Sequence, residues 1–86
     1  MSVWTPEQEA FSAIRRSAVY QARCRYSGAE DFNLVRKDGR PVGWTFHTGN
    51  YPHTSFGWVT LGGRIGAATH DVRLMARKEL KERGET

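Results

Sequence analysis

Basic side chains recur in the last quarter of the chain at a spacing that suits contact with phosphates. Arg73, Arg77 and Lys81 lie four residues apart. On a helix that turns about 100° per residue they form one stripe, which begins near His70. Each phosphate that such a side chain neutralises adds salt-dependent affinity for a nucleic acid. The stripe therefore predicts nucleic-acid contact, although a solvated helix face would show the same pattern.

A predicted hairpin supplies a second group of cations. Asp38 and Gly39 separate two strand-like segments, and both residue types tolerate the positive φ that a two-residue turn requires. The tip of this hairpin carries three basic residues, Arg36, Lys37 and Arg40. If the hairpin tip and the stripe face the same way, together they span a nucleic-acid backbone.

A glycine-rich segment, residues 62–66 with the sequence Gly-Gly-Arg-Ile-Gly, is predicted to break the sheet and lead into the second helix. Such a loop suits a phosphate, because glycines let backbone donors approach an oxyanion and a helix amino terminus adds a favourable dipole. Arg64 and His70 would complete this phosphate site. The segment matches neither the dinucleotide-binding nor the P-loop pattern, so a plain connector is the alternative.

His47 is the candidate for proton transfer. An imidazole that titrates near neutrality can act as a general acid or base, here in phosphodiester cleavage. No carboxylate or lysine stands close to it in the sequence, so a structural or binding role is favoured over catalysis. The sequence carries no motif of a serine, cysteine or metal hydrolase, and its Cys and His spacings suit no zinc site. We therefore expect no metal and no cofactor.

The strands that must position these groups lie in and around residues 41–63, a stretch without Asp, Glu, Lys or Arg. Trp44 and Phe46 alternate there with smaller residues, as do Phe56 and Trp58. Alternation with a period of two predicts half-buried strands. We expect these aromatic side chains to be buried together as one core, the alternative being a platform on which unpaired bases stack.

The complementary side chains, which include Gly43, Thr45 and His47, would line the opposite face of the sheet. With both helices on the aromatic face, this second face is expected to be open. A flat face of small residues suits an acidic protein partner or a strand from a second copy of the chain.

Helices are predicted at both ends. Thr5 and Gln8 form the pattern of a capping box at the start of the first helix. Val72, Met75, Ala76 and Leu80 share one apolar face of the second helix, and Leu74 falls off it. The predicted elements are a helix to about residue 23, strands at about 32–35, 42–47 and 56–61, and a helix from about 69 to 83.

Composition sets the class and the compartment. A chain of 86 residues suffices for one small domain. The net charge of +4 favours an acidic partner, with nucleic acid ahead of a membrane surface. Cys24 is the one cysteine, expected as a small buried side chain, and a chain without an internal disulfide suits a reducing cytosol. No signal peptide or membrane span is indicated, so we expect a cytoplasmic protein of unpredicted oligomeric state.

Two short segments resemble parts of the double-stranded RNA-binding domain. Residues 32–35, Phe-Asn-Leu-Val, look like its first strand, and residues 76–80, Ala-Arg-Lys-Glu-Leu, look like the end of its second helix. The predicted element order also resembles that domain and the HicA-type messenger RNA interferase toxins, which share its plan. The resemblance implies both helices packed on one face of the sheet, RNA binding and, for the HicA type, RNA cleavage within a toxin–antitoxin pair.

The sequence as a whole predicts an α+β fold of order α-β-β-β-α, a three-stranded antiparallel sheet with two helices on one face, over a single domain spanning residues 1–86. The leading functional hypothesis is a small basic nucleic-acid-binding protein that prefers RNA. The first alternative is a protein-binding module, such as an inhibitor or accessory factor of a mobile element. The second is a HicA-like endoribonuclease that uses His47, so enzymatic activity is not the leading expectation.

Overall fold

The computed structural model describes residues 4–49, 54–67 and 73–83 and shows an α+β fold, which confirms the predicted class. Neither helix in these ranges is long and apolar enough to cross a lipid bilayer. The elements are α1 (Pro6–Arg25), β1 (Glu30–Lys37), β2 (Arg40–Thr48), β3 (Ser55–Thr60), β4 (Ile65–Ala67) and α2 (Arg73–Arg83).

Helix α1 begins at the predicted capping box. The backbone N–H of Gln8 donates to Thr5 Oγ1 at 3.1 Å, and the backbone N–H of Thr5 donates to Gln8 Oε1 at 2.9 Å. Two donors that the helix itself leaves unpaired are thereby satisfied. The helix continues to Arg25, two residues beyond the predicted end, and Ala18 and Ala22 are its buried positions.

The sheet has four antiparallel strands in the order β1-β2-β3-β4, so the prediction of three strands is wrong. The glycine-rich segment does not lead directly into a helix. Gly63 adopts a φ of 91° and its backbone N–H donates to the carbonyl oxygen of Thr60 at 3.0 Å. This turn reverses the chain, and Ile65 then pairs with Val59 as the first residue of the short strand β4.

The two helices lie on opposite faces of the sheet. On one face, Ala18 and Ala22 of α1 pack in a cluster with Trp44 and Phe46, and the ring of Phe11 lies 5.7 Å from that of Trp44. On the other face, α2 packs against a second cluster, which contains Val35, Val42, Trp58, Ala76 and Leu80. The expectation that both helices cover one face is therefore wrong.

Strand register explains this arrangement. Trp44 stands opposite Val59, and Thr45 stands opposite Trp58. Residues directly opposite one another share a face, so Trp44 and Trp58 lie on different faces rather than in one aromatic set. Each face thus presents a large indole that must be covered, and one helix buries each of them.

The small-residue face, which the sequence predicted to be open, is covered by α2. Thr45 and Thr60 are 0% and 1% exposed. At Gly43 the packing is so close that a Cβ would stand 3.1 Å from Leu80 Cδ1 and 2.2 Å from the carbonyl oxygen of Val59. Over the part of the chain that the structure describes, this face is therefore packed beneath α2, and the expectation of an open face is wrong.

Candidate nucleic-acid interface

The tip of the β1–β2 hairpin contacts the last turns of α2. Lys37 Nζ donates to the backbone carbonyl oxygen of Lys81 at 3.2 Å. Carbonyl groups at a helix carboxyl terminus are unpaired and carry partial negative charge, so an ammonium group is favourable there. The contact joins two groups of cations that the sequence placed more than forty residues apart.

Four of the predicted basic residues lie along this junction. Lys37 and Arg40 are paired across the hairpin and therefore share the α2 face, and Arg40 is exposed. Arg77 is exposed and Lys81 is half-buried, four residues further along the helix. We call this group the hairpin-end surface, which consists of Lys37, Arg40, Arg77 and Lys81.

Arg36 and Arg64 do not belong to the hairpin-end surface. Consecutive strand residues point to opposite faces. Lys37 lies on the α2 face, so Arg36 lies on the α1 face. Its Nη1 donates to the carbonyl oxygen of Gly39 at 3.4 Å within the same turn. Arg64 lies in the β3–β4 turn and lines a groove that Arg25, at the end of α1, also lines. The predicted basic residues are therefore divided between the two faces.

Residues 62–66 were predicted to form a phosphate-binding loop between a strand and a helix. This placement is wrong, because the Gly62–Gly63 turn joins the two strands β3 and β4. The backbone N–H groups of Gly63 and Arg64 are occupied by the carbonyl oxygen and the hydroxyl of Thr60, respectively. The other residue assigned to this loop, His70, lies outside the described residues.

Arg73, which belongs to the predicted stripe, makes contacts within the fold. Its Nη2 pairs with Asp31 Oδ2 on β1, and its guanidinium carbon lies 5.2 Å from the centroid of the Phe56 ring. A guanidinium held by a carboxylate and an aromatic face is less available to a phosphate. Arg73 thus fastens the first turn of α2 to the sheet, at the opposite end of the helix from the hairpin-end surface.

This ion pair predicts a dependence of stability on pH. The hydrogen bond and charge of Arg73 hold the pKa of the Asp31 carboxyl below its ordinary value of 3.8. A depressed folded-state pKa means that the stabilisation is fully present above pH 3.8 and is lost as the pH falls through the folded-state value. In thermal unfolding monitored by circular dichroism, we expect Asp31→Asn to lower the Tm slightly at pH 7.

The same comparison at about pH 2.5 provides the control. Asp31 adopts a φ of 59°, and asparagine tolerates this left-handed conformation as well as aspartate does, so the variant removes the charge without adding backbone strain. The difference in Tm between the two proteins should shrink at the lower pH. A difference that is equal at both pH values would show that the charge of Asp31 does not contribute.

His47 lies at the end of β2, on the α2 face. Its ring contacts Phe56 edge-on, with the two ring centroids 6.5 Å apart. Its Nδ1 is buried and has no hydrogen-bond partner among the described residues. Glu30 of β1 stands opposite His47 in the strand register, a proximity that the sequence did not reveal, and catalysis by His47 stays a prediction.

The cations of α1 are not among the predicted nucleic-acid contacts. Residues 10–29 contain four arginines and no acidic residue. That run is visible in the sequence, but its arginines lack the fourfold spacing of the stripe on α2. All four side chains are exposed on the structure, and they are Arg15, Arg16, Arg23 and Arg25.

The resemblance to double-stranded RNA-binding domains and HicA-type toxins rests on residues 32–35 and 76–80 and on element order. The placement of the two helices on opposite faces departs from the plan which that resemblance implied. In comparisons with known proteins, no family model, no curated protein and no solved structure matches the chain.

Proposed function

We propose that this chain binds nucleic acid, RNA in preference, through the hairpin-end surface. The observation that carries the proposal is the contact between Lys37 Nζ and the carbonyl oxygen of Lys81 at 3.2 Å. It brings the hairpin tip and the last turns of α2 together, so that cations from two distant parts of the chain act on one ligand. RNA is preferred because of the resemblance in residues 32–35 and 76–80.

The spacing within the surface suits a polyanion. Arg77 and Lys81 are about 6 Å apart along the helix axis, at about 1.5 Å per residue, so each can meet a different phosphate. Arg40 adds a third cation from the neighbouring hairpin, with a side chain that is exposed and makes no ion pair within the described ranges. A row of cations that follows a backbone confers affinity without requiring base recognition.

The protein-binding alternative depended on a sheet face that is not open. That hypothesis placed an acidic partner on an open sheet face, and α2 covers this face. The hairpin-end surface does not depend on an open sheet, because it lies at the end of the hairpin and along the exposed side of α2. Nucleic-acid binding is therefore the function that the geometry supports best.

The test is a salt titration of RNA binding by a double variant. We expect Arg40→Ala/Arg77→Ala to weaken binding of a labelled single-stranded RNA of about twenty nucleotides by roughly tenfold or more at low salt. The slope of log Kd against log salt concentration should fall by about 1.4, because each phosphate contact on a single strand contributes about 0.7. Fluorescence anisotropy measures both quantities, and DNA of the same sequence measures the preference for RNA.

The matched control is Arg15→Ala/Arg16→Ala on α1, which removes the same charge from the opposite face of the sheet. This control variant should retain most of the affinity and nearly the full salt slope. Equal losses in the two double variants would mean that net charge, and not the hairpin-end surface, governs binding. An absence of RNA and DNA binding at about 50 mM salt would reject the proposal.

A further inference from the structure

A groove on the α1 side of the sheet is lined by two basic residues that do not belong to the hairpin-end surface. It lies between the last turns of α1 and the β3–β4 turn and has a volume of about 540 Å³. The groove lies on the α1 side of the sheet, whereas the hairpin-end surface lies on the α2 side. Its lining residues are Gln21, Cys24, Arg25, Gly63, Arg64 and Ile65.

The charge of this groove is uncompensated. Arg25 and Arg64 both line it, and its lining contains no acidic residue. Neither arginine makes an ion pair within residues 4–49, 54–67 and 73–83, in contrast to Arg73, which is held by Asp31. A guanidinium group donates two parallel hydrogen bonds to an oxyanion, so a groove lined by two arginines and no acidic residue suits a phosphate.

The backbone of Arg64 is fixed before any ligand arrives. Its N–H donates to Thr60 Oγ1 at 3.0 Å, and its carbonyl oxygen accepts from the N–H of Thr60 at 2.8 Å. Thr60 is itself only 1% exposed, so the anchor belongs to the core. A side chain that leaves a rigid turn loses less conformational freedom on binding than one on a mobile loop.

We propose that this groove binds a phosphate group of the same nucleic acid, with Arg25 and Arg64 as its ligands. The inference rests on the proposed function and extends it. In an antiparallel sheet of order β1-β2-β3-β4, the β1–β2 and β3–β4 turns lie at the same end. A single strand that crosses this end passes from the hairpin-end surface on the α2 side to the groove on the α1 side.

Cys24 provides the measurement. Cys24 lines the groove and is exposed, so the prediction that it is buried is wrong. It is the one cysteine of the sequence, and alkylation therefore reports on this place alone. With RNA at about ten times its Kd, roughly nine groove sites in ten are occupied, so the rate of alkylation by iodoacetamide should fall roughly tenfold. Arg25→Ala/Arg64→Ala should remove this protection, whereas Arg15→Ala/Arg16→Ala should keep it.

The possible results separate the groove from the hairpin-end surface. If RNA binds with the expected salt dependence but Cys24 reacts at an unchanged rate, the groove proposal is overturned and the proposed function stands. If inorganic pyrophosphate protects Cys24 and RNA does not, the groove binds a small anion, and the proposal that it binds a phosphate of the nucleic acid is overturned. If neither protects Cys24 and RNA does not bind, both proposals fail.

Discussion

Replacement of Gly43 by alanine should destabilise the protein by about 3 kcal/mol, as expected for a strongly overpacked core position. A Cβ at this position would lie 2.2 Å from the carbonyl oxygen of Val59 and 3.0 Å from the Cα of Thr60. Both are backbone atoms of β3, so a change of side-chain rotamer cannot relieve the contact. Gly43 also adopts a φ of 154°, which residues with a Cβ rarely occupy.

Thermal unfolding measures this effect. For a domain of this size, 1 kcal/mol corresponds to about 4–8 °C, so the Tm should fall by more than about 10 °C. Gly62→Ala is the matched control, because its Cβ would meet no atom nearer than Thr60 Oγ1 at 4.0 Å. A Tm that is lowered equally in both variants would contradict the proposed close approach of β2 and β3.

Replacement of Leu80 by alanine is the second change for which we expect a large effect. Leu80 is 0% exposed and anchors the last turns of α2 in the cluster with Trp58 and Val42. A leucine-to-alanine change in a core costs about 2–5 kcal/mol, through lost burial and the cavity that remains. Because Leu80 precedes Lys81, loosening this turn should also weaken RNA binding.

The control for this change lies on the same helix. Leu74 is 66% exposed, so Leu74→Ala removes the same atoms from solvent rather than from a core. Its free energy of unfolding in urea should stay within about 0.5 kcal/mol of the original value. If Leu74→Ala and Leu80→Ala lose similar stability, the face of α2 that packs on the sheet has been assigned incorrectly.

The elements that depend on local chemistry were predictable. The capping box at Thr5 and Gln8 was correct because its partners are three residues apart, and the hairpin turn at Asp38 and Gly39 requires only neighbouring residues. On α2 the helical spacing puts Leu74 off the predicted apolar face, and Leu74 is exposed, but Met75 was predicted on that face and is also exposed. Local patterns carried this information because no distant contact had to be known.

The arrangement of the faces was not predictable from alternation alone. Trp44 and Trp58 each alternate with small residues, but the alternation does not say which positions stand opposite each other. One residue of register decides whether two strands show their indoles on the same face or on different faces. The observed pairing of Trp44 with Val59 therefore overturned the placement of both helices.

In the candidate sites, too, local patterns were predictable and long-range contacts were not. Spacing on α2 predicted nucleic-acid contact by Arg77 and Lys81, and turn chemistry predicted it for Arg40; for all three residues this contact stays a prediction. The role of Arg73 depends on Asp31, forty-two residues away, and the proximity of Arg64 to Arg25 depends on the β3–β4 turn. A sequence lists the cations, and only the fold shows which of them are already neutralised.

The two edges of the sheet have a consequence for self-association. A long regular edge strand presents unpaired backbone groups that invite another chain to add to the sheet. Here one edge strand, β4, has three residues, and the other, β1, changes register between Glu30 and Asn33, where Asp31 takes a left-handed conformation. Such short or interrupted ladders limit edge-to-edge aggregation. The helices cover both faces of the sheet, and its two edges are poorly suited to growth into fibrils.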